Sequence, residues 1–271
     1  DLFVARFNND GSLDWVRSEG GTGTDVGTGI AAYPDGSVVA AGYLNGQFKD
    51  AATAKALARD ACVVRYDFYG SRKWFRQIGG TGDTAALDVA ALPDGGCLVV
   101  GGFSGTTTFG YGEPNQKMLL AGSTTDAFFA RFAADGALVW VKSAPSALGE
   151  AVAYAVSACA DDTFVAGGYF TRTATLGPGE ARETKMDSAG AKDLFVARFS
   201  ADGKVLSVCH GGGTKDEMVL GVAGMPIVDF PGDFLAVGSF AGPLTLGRDS
   251  QYPRSLSTSG GWDVLVARLS E

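Results

Sequence analysis

The chain has 271 residues and carries 22 Lys and Arg against 30 Asp and Glu, a formal net charge of −8. That sign repels phosphate backbones and excludes nucleic acid as an expected partner, and the long uncharged run from Gly95 to Gly112 is too rich in Gly and Thr to span a bilayer. Forty glycines without a collagen period, beside 46% hydrophobic residues, point to many short strands joined by tight turns over a sizeable core.

In chain order, Asp1 to Phe7 reads as a strand that closes on the turn Asn8-Asn-Asp-Gly11, where Gly supplies a left-handed position. A second strand carries Trp15, and a Gly/Thr-rich crossing, Gly20-Gly-Thr-Gly23, leads to a short strand of small residues, Gly29 to Tyr33. The turn Pro34-Asp-Gly36 opens a fourth strand, Val38 to Tyr43. The same order then recurs. Asp60-Ala-Cys-Val-Val-Arg-Tyr66, Asp126-Ala-Phe-Phe-Ala-Arg-Phe132 and Asp193-Leu-Phe-Val-Ala-Arg-Phe199 repeat the first strand, and Asp263-Val-Leu-Val-Ala-Arg-Leu269 ends the chain. The starting positions differ by 59, 66, 67 and 70 residues.

We letter the strands a to d by their expected place from the inside outward. The Asp-to-Phe strand is c, the Trp strand is d, the small-residue strand is a and the strand after Pro-Asp-Gly is b. Four β-branched and aromatic strands per unit predict an all-β fold, a β-propeller with four blades of four antiparallel strands. Units of this length exceed the usual coil of a solenoid. The chain reads as a single domain, residues 1–271, with units at about 1–59, 60–125, 126–192 and 193–262 and a partial copy at 263–271. The closing blade is expected to be shared between the N- and C-termini. Strand c nevertheless occurs five times, which implies an extra strand in that blade or a longer parent array.

The unit Asp-x-Phe-Val-Ala-Arg-Phe-x-x-Asp-Gly-x-x-x-Trp, followed by Gly-Gly-x-Gly-x-Asp and Pro-Asp-Gly, resembles the bacterial β-propeller repeat family of SBBP type over essentially the whole chain. The resemblance implies a propeller in an exported or cell-surface bacterial protein and assigns no activity. The first unit departs from the others. Phe109-Gly110, Leu176-Gly177 and Leu246-Gly247 end a Thr-rich segment that reads Asn45 to Ala51 there, and the Ala-rich stretch from Ala51 to Arg59 is predicted to form a short helix.

The recurring pairs Asp1/Arg6, Asp60/Arg65, Asp126/Arg131, Asp193/Arg198 and Asp263/Arg268 could form a ring of ion sites. Their presence in every copy favours a structural role, capping each strand and joining it to its neighbour. Trp15, Trp74 and Trp140 could stack sugars, but are expected to fill the gap between adjacent blades with the ring nitrogen donating to a backbone carbonyl. Ser207 replaces the tryptophan in the fourth unit, and Trp262 stands outside the pattern.

The crossings carry acids, with Asp25, Glu150 and Glu217 in one register and Asp83 and Asp216 one residue earlier. If the crossings converge on one mouth of a channel, Asp25, Glu150 and Glu217 could hold calcium; alternatively, each acid bonds the N–H groups of its own loop. Asp88 and Tyr154 align with Gly29 and Gly221 and break the symmetry of strand a, which makes them candidate ligand contacts. The one histidine, His210, is read as a strand-end residue without a triad. Cys62, Cys97, Cys159 and Cys209 show no zinc spacing; Cys62 and Cys97 take core positions, Cys209 is expected to be the most exposed, and a Cys159–Cys209 bridge is permitted without being required.

These features favour a non-enzymatic binding or scaffold module, secreted or at the cell surface, monomeric, and without a cofactor apart from the candidate calcium. Its partner would be a protein or glycan met through the variable segments Phe48 to Arg59, Tyr111 to Met118, Pro178 to Asp187 and Arg248 to Arg254. The alternatives are a metal-assisted, lactonase-like hydrolase using carboxylates at the channel mouth, and a lectin.

Overall fold

The computed structural model describes residues 1–45, 58–225, 233–248 and 250–269. The expected helix over Ala51 to Arg59 lies almost wholly outside them. Among the described residues every regular element is a strand, numbered β1 to β23, and the sheets are antiparallel.

The strand order within the sheets is a-b-c-d, as lettered from the sequence. β3 (Val26–Ala32), β4 (Val38–Asn45), β5 (Arg59–Tyr66) and β6 (Arg72–Gly80) form one such set. β7 (Thr84–Ala91), β8 (Cys97–Phe103), β11 (Asp126–Phe132) and β12 (Leu138–Ala144) form the second. β13 (Ala151–Ala158), β14 (Phe164–Phe170), β17 (Asp193–Phe199) and β18 (Val205–Gly213) form the third. Two incomplete sets remain: β1 (Leu2–Phe7) with β2 (Leu13–Glu19), and β19 (Glu217–Gly224) with β20 (Phe234–Phe240) and β23 (Asp263–Leu269).

The expected closing sheet shared by the two termini is therefore not formed. β23 occupies the c position beside β20 along its full length, from Phe234↔Leu269 to Phe240↔Asp263, so that edge of β20 is taken. β1 pairs with β2 in a separate two-stranded sheet.

A further hairpin, unforeseen in the sequence, follows strand b in three repeats: β9 (Thr106–Phe109) with β10 (Lys117–Leu120), β15 (Thr173–Leu176) with β16 (Thr184–Asp187), and β21 (Leu244–Leu246) with β22 (Arg254–Leu256). Three of the variable segments, Tyr111 to Met118, Pro178 to Asp187 and Arg248 to Arg254, lie at the tips and second strands of these hairpins; the fourth, Phe48 to Arg59, lies almost wholly outside the described residues. Two of the hairpins pair with the d strand of the preceding four-stranded set, through Gly79↔Thr108 and Gly80↔Thr107 and through Gly211↔Leu246 to Gly213↔Leu244. This makes six-stranded sheets of the first and third sets. Glycines read as crossing residues thus belong to strands, because the hairpin backbone lies where a side chain would project. A Cβ on Gly211 would stand 2.7 Å from the Leu246 Cα.

By Cα packing the chain divides into two compact units: Asp1–Val99, Phe103–Leu120 and Ala130–Val139, and Val100–Gly102, Ala121–Phe129 and Trp140–Glu271. In the first, Leu2, Val4, Trp15, Ala40, Leu44, Cys62, Val64 and Tyr66 form a buried cluster. In the second, Leu194, Val196, Val219, Phe234, Ala236 and Leu265 belong to another. All four cysteines are free; Cys62, Cys97 and Cys159 are buried and Cys209 is partly so.

The tryptophans tie consecutive repeats together. Trp15 Nε1 donates to the Phe68 carbonyl at 3.0 Å and Trp74 Nε1 to the Ala134 carbonyl at 2.9 Å, both in the first unit. Trp140 Nε1 donates to the Ala201 carbonyl at 3.1 Å in the second. Each accepting carbonyl belongs to the c–d turn of the following repeat, and the indole lies over the glycine that closes that turn. A Cβ on Gly70 or Gly136 would come within 2.7 Å of the Trp15 or Trp74 ring, and one on Gly203 within 3.1 Å of Trp140. These glycines hold φ of 75°, 81° and 78°. Two requirements therefore coincide at one position, a left-handed backbone and no side chain. Arginines reinforce the contact: Arg6 Nη1 donates to Phe68 O at 2.8 Å and Arg17 Nε to Gly70 O at 2.7 Å, with Arg65 and Arg76 doing the same at Ala134 O and Gly136 O.

Gly11 separates the two requirements, since its φ is 84° and nothing lies within 4 Å of its Cβ position. Gly11→Ala is expected to cost only the backbone term, about 1–2 kcal/mol. Gly136→Ala adds overpacking against Trp74 and is expected to cost about 1–3 kcal/mol more. Urea denaturation of the two variants measures the difference.

Candidate functional site

Three of the recurring aspartates, Asp126, Asp193 and Asp263, hold the loops that lead into their own strands. Asp126 accepts the Gly122 N–H at 2.9 Å and the Ser146 N–H at 2.8 Å. Asp193 accepts the Ala189 N–H at 2.9 Å and Asp263 the Ser259 N–H at 3.0 Å, again from four residues upstream. Asp60 takes the Gln77 amide at 2.7 Å. The Asp1 carboxylate lies beside Gly20, where any side chain would displace it. Four of the recurring arginines reach the a–b turn of their own sheet. Arg131 pairs with Asp94 at 2.6 Å, Arg198 with Asp161, and Arg268 with Asp233 at 2.6 Å, while Arg65 donates to Ser37 Oγ at 3.1 Å. Burial opposes ionisation of Asp94, but the Gly96 N–H and the Arg131 guanidinium hold its carboxyl below the usual range.

The crossing acids are also engaged. Asp25 is buried and accepts the Gly21 N–H at 2.9 Å and the Asn45 N–H at 3.0 Å. Asp83 takes the Arg59 N–H at 3.1 Å and its guanidinium at 3.2 Å. Glu217 is fully buried and accepts the Gly213 N–H at 2.8 Å through Oε2. Asp88 accepts its neighbour's N–H, from Val89 at 2.9 Å, and packs on Gly29, where a Cβ would stand 2.9 Å from the Asp88 Cα.

Three of the residues singled out from the sequence belong to one linked cluster in the second unit: Glu150, Tyr154 and Asp216. Tyr169, at the end of β14, links them. Its hydroxyl donates to Glu150 Oε2 at 3.0 Å, and its ring centroid lies 5.7 Å from that of Tyr154. Lys192 Nζ stands 4.3 Å from the Tyr169 ring centroid, within cation–π range, while the Lys192 N–H donates to Asp216 Oδ1 at 3.3 Å. Burial first, and then the Glu150 carboxylate, push the Tyr169 phenol above its ordinary range; the same two causes raise Tyr154. Beside the cluster is an open groove of about 620 Å³ lined by Asp216, Lys192, Arg172 and Ser188. The arrangement offers hydrogen-bond donors, acceptors and one carboxylate to a polar ligand.

Sequence reasoning missed Tyr169 and Lys192, although a signal exists. The first unit repeats the motif, with Arg59 4.8 Å over the Tyr43 ring and paired with Asp83 at 3.2 Å. Arg59 and Lys192 each immediately precede a recurring aspartate, and Tyr43 and Tyr169 lie near the ends of their b strands.

Two sequence readings are corrected. Tyr154 is not the counterpart of Gly29 and Gly221. The a strands bulge between Gly27 and Gly29, between Ala153 and Ala155 and between Val219 and Gly221, so Tyr154 stands with Thr28 and Leu220 as the extra, unpaired residue. His210 is not at a strand end. It lies buried within β18 opposite Phe195, because pairing with β21 extends the strand through Gly213.

Of the expected calcium ligands, Asp25 belongs to the first unit and Glu150 and Glu217 to the second. No group of three or more His, Cys, Asp or Glu among the described residues is arranged to hold a metal ion. No helix is long and apolar enough to cross a membrane among the described residues.

Buried Asp193 Oδ1 and Glu217 Oε1 have no hydrogen-bond partner among the described residues, and burial raises both carboxyls above their usual range. The folded chain therefore holds these protons more tightly than the unfolded chain. The resulting stabilisation is present in acid and is lost as pH rises from the unfolded carboxylate value through the raised folded one. Glu217→Gln keeps an acceptor for Gly213 and is expected to flatten this part of the decline, read from urea midpoints at mildly acid and neutral pH. Neither the protein-family models nor the curated proteins compared with this chain match it.

Proposed function

We propose that the chain is a non-enzymatic binding or scaffold module built as a propeller-type array of four-stranded sheets, in an exported or cell-surface bacterial protein. The a-b-c-d order, the repeated Trp-on-Gly contact and the resemblance of the repeat unit support the propeller reading. One observation carries the function: the side chains that could have supplied chemistry are used to hold the frame. Asp25 and Glu217 accept N–H groups of their own loops, Glu150 takes a tyrosine hydroxyl, and the three repeat tryptophans donate to backbone. By contrast, the hairpin tips differ between repeats and present exposed side chains, among them Tyr111 and Tyr252. A rigid frame with variable tips suits recognition of a protein or glycan partner.

The alternatives are a calcium-assisted, lactonase-like hydrolase using Asp25, Glu150 and Glu217, and a lectin. A thermal-melting screen of the purified chain against calcium, EDTA, simple lactones and sugars separates them. A ligand specific for the folded state at one hundred times its dissociation constant adds about 2.7 kcal/mol of stability and raises the midpoint accordingly. The binding-module reading expects no response to calcium, EDTA or lactones. A calcium-dependent rise that disappears in the Asp25→Asn/Glu150→Gln/Glu217→Gln variant would overturn it in favour of the hydrolase.

A further inference from the structure

The groove beside Tyr169 differs from the rest of the frame, because its charged side chains are not committed to the fold. It lies wholly within the second unit, holds about 620 Å³ and is lined by Arg172, Ser188, Gly190, Lys192 and Asp216. Arg172 follows β14, Ser188 to Lys192 join β16 to β17, and Asp216 precedes β19. The recurring arginines are tied to carbonyls and carboxylates. The Arg172 guanidinium, by contrast, is exposed and makes no hydrogen bond or ion pair among the described residues. The Lys192 ammonium stands over the Tyr169 ring at 4.3 Å and is paired with no carboxylate among the described residues. One oxygen of Asp216 takes the Lys192 N–H at 3.3 Å, and the other accepts no hydrogen bond among the described residues.

The backbone at Arg172 carries a second signal. Its φ is 55°, in the left-handed region. Gly105 stands two residues past β8, as Arg172 stands two residues past β14, and holds φ of 59°. A β-carbon makes this conformation costly for arginine and not for glycine. The turn is held in place all the same. The Arg172 N–H donates to Ser188 Oγ at 2.8 Å, its carbonyl accepts the Ser188 N–H at 2.6 Å, and the Thr171 N–H donates to the Glu150 carbonyl at 2.8 Å. The preceding repeat has Gly105 and Thr125 in the places of Arg172 and Lys192, so the repeat itself requires neither cation. A strained arginine kept where glycine would serve points to a use for its side chain.

We infer that, within the binding-module reading on which this rests, the groove binds a glycan that carries carboxylates, an oligomer of uronic acid. Its carboxylate meets Arg172 and Lys192, and its ring hydroxyls meet Asp216 and Ser188. A guanidinium offers a carboxylate two parallel N–H donors in a fixed plane. Asp216 selects the rest of the ligand. It repels a dense run of negative charge and needs a donor, which the hydroxyls of the same sugar ring supply. A pyranose holds both groups rigidly, so little freedom is lost on binding, whereas an acidic peptide carries its carboxylates on flexible side chains that must be ordered. In a chain of net charge −8, this groove sets two cations against one carboxylate. The site is single, unlike the repeated tryptophans that a lectin reading would use.

Titration calorimetry of the purified chain with trigalacturonate, its methyl ester and a glutamate hexapeptide tests the inference. Trigalacturonate is expected to bind, more weakly as salt rises. The methyl ester keeps the hydroxyls and loses the charge, so its affinity is expected to fall by about tenfold or more. Arg172→Gly is expected to lose the same factor for trigalacturonate while keeping or raising the melting midpoint, because glycine relieves the left-handed turn. Lys192→Gln is expected to weaken binding as well. Absence of trigalacturonate binding, equal binding of the ester, or wild-type binding by Arg172→Gly would overturn the proposal. So would a lowered midpoint in Arg172→Gly, which would make the arginine part of the frame, or tighter binding of the hexapeptide, which would make an acidic peptide the occupant. A chain that binds none of the three loses only this ligand class, since the calcium and lactone screen tests the binding-module reading separately.

Discussion

The backbone carbonyls of Phe68, Ala134 and Ala201 carry the contact on which the array depends. Each receives an indole N–H from the preceding repeat, and in each case the ring lies over the glycine two residues later. A four-stranded sheet that exposed both faces could not bury enough apolar surface to stand alone. The indole supplies a large apolar area and spends its one donor on a carbonyl of the turn. Removing such a ring typically costs about 3–5 kcal/mol, which is comparable to the stability of a small domain. The turn glycines are fixed by the same contact, because a β-carbon would occupy the space of the ring.

Other recurring residues make each sheet ready for that contact. Aspartates at the start of strand c fix the incoming loop, and arginines at its sixth position fix the a–b turn at the other end. A bulge follows that arginine in β1, β5 and β17, which shifts the register between Arg6 and Phe7, between Arg65 and Tyr66 and between Arg198 and Phe199. Polar residues that would ordinarily suggest chemistry are thus committed to backbone geometry. Under the proposed binding role, recognition falls to the hairpin tips, which differ between repeats, and to the tyrosine–cation–carboxylate clusters around Tyr43 and Tyr169.

Much of this was legible in the sequence because the repeat displays it several times. Strand order, the c–d turn and the engagement of the tryptophans follow from Asp-to-Phe, Asp-Gly and Trp at constant offsets. The added hairpins were hidden because their strands are short, three or four residues each, and pair with glycines that read as loop. Tyr154 was misplaced because a bulge adds one residue without leaving a mark on residue type. The cluster around Tyr169 was only half visible, since cation–π contact joins residues from different elements and has no fixed spacing along the chain. The fate of the fifth c strand is a matter of edge competition, and pairing of β23 along the whole of β20 decided it.

Hydrogen exchange of the indole N–H groups, followed in a nitrogen–proton correlation spectrum, tests the central contact most directly. The chain has four tryptophans, so each signal can be assigned by single substitution. The account expects the signals of Trp15, Trp74 and Trp140 to be protected, because each donates to a carbonyl of the next repeat, and that of Trp262, which is 55% exposed, to exchange rapidly. Equal, rapid exchange at all four would show that the indoles do not hold the repeats together.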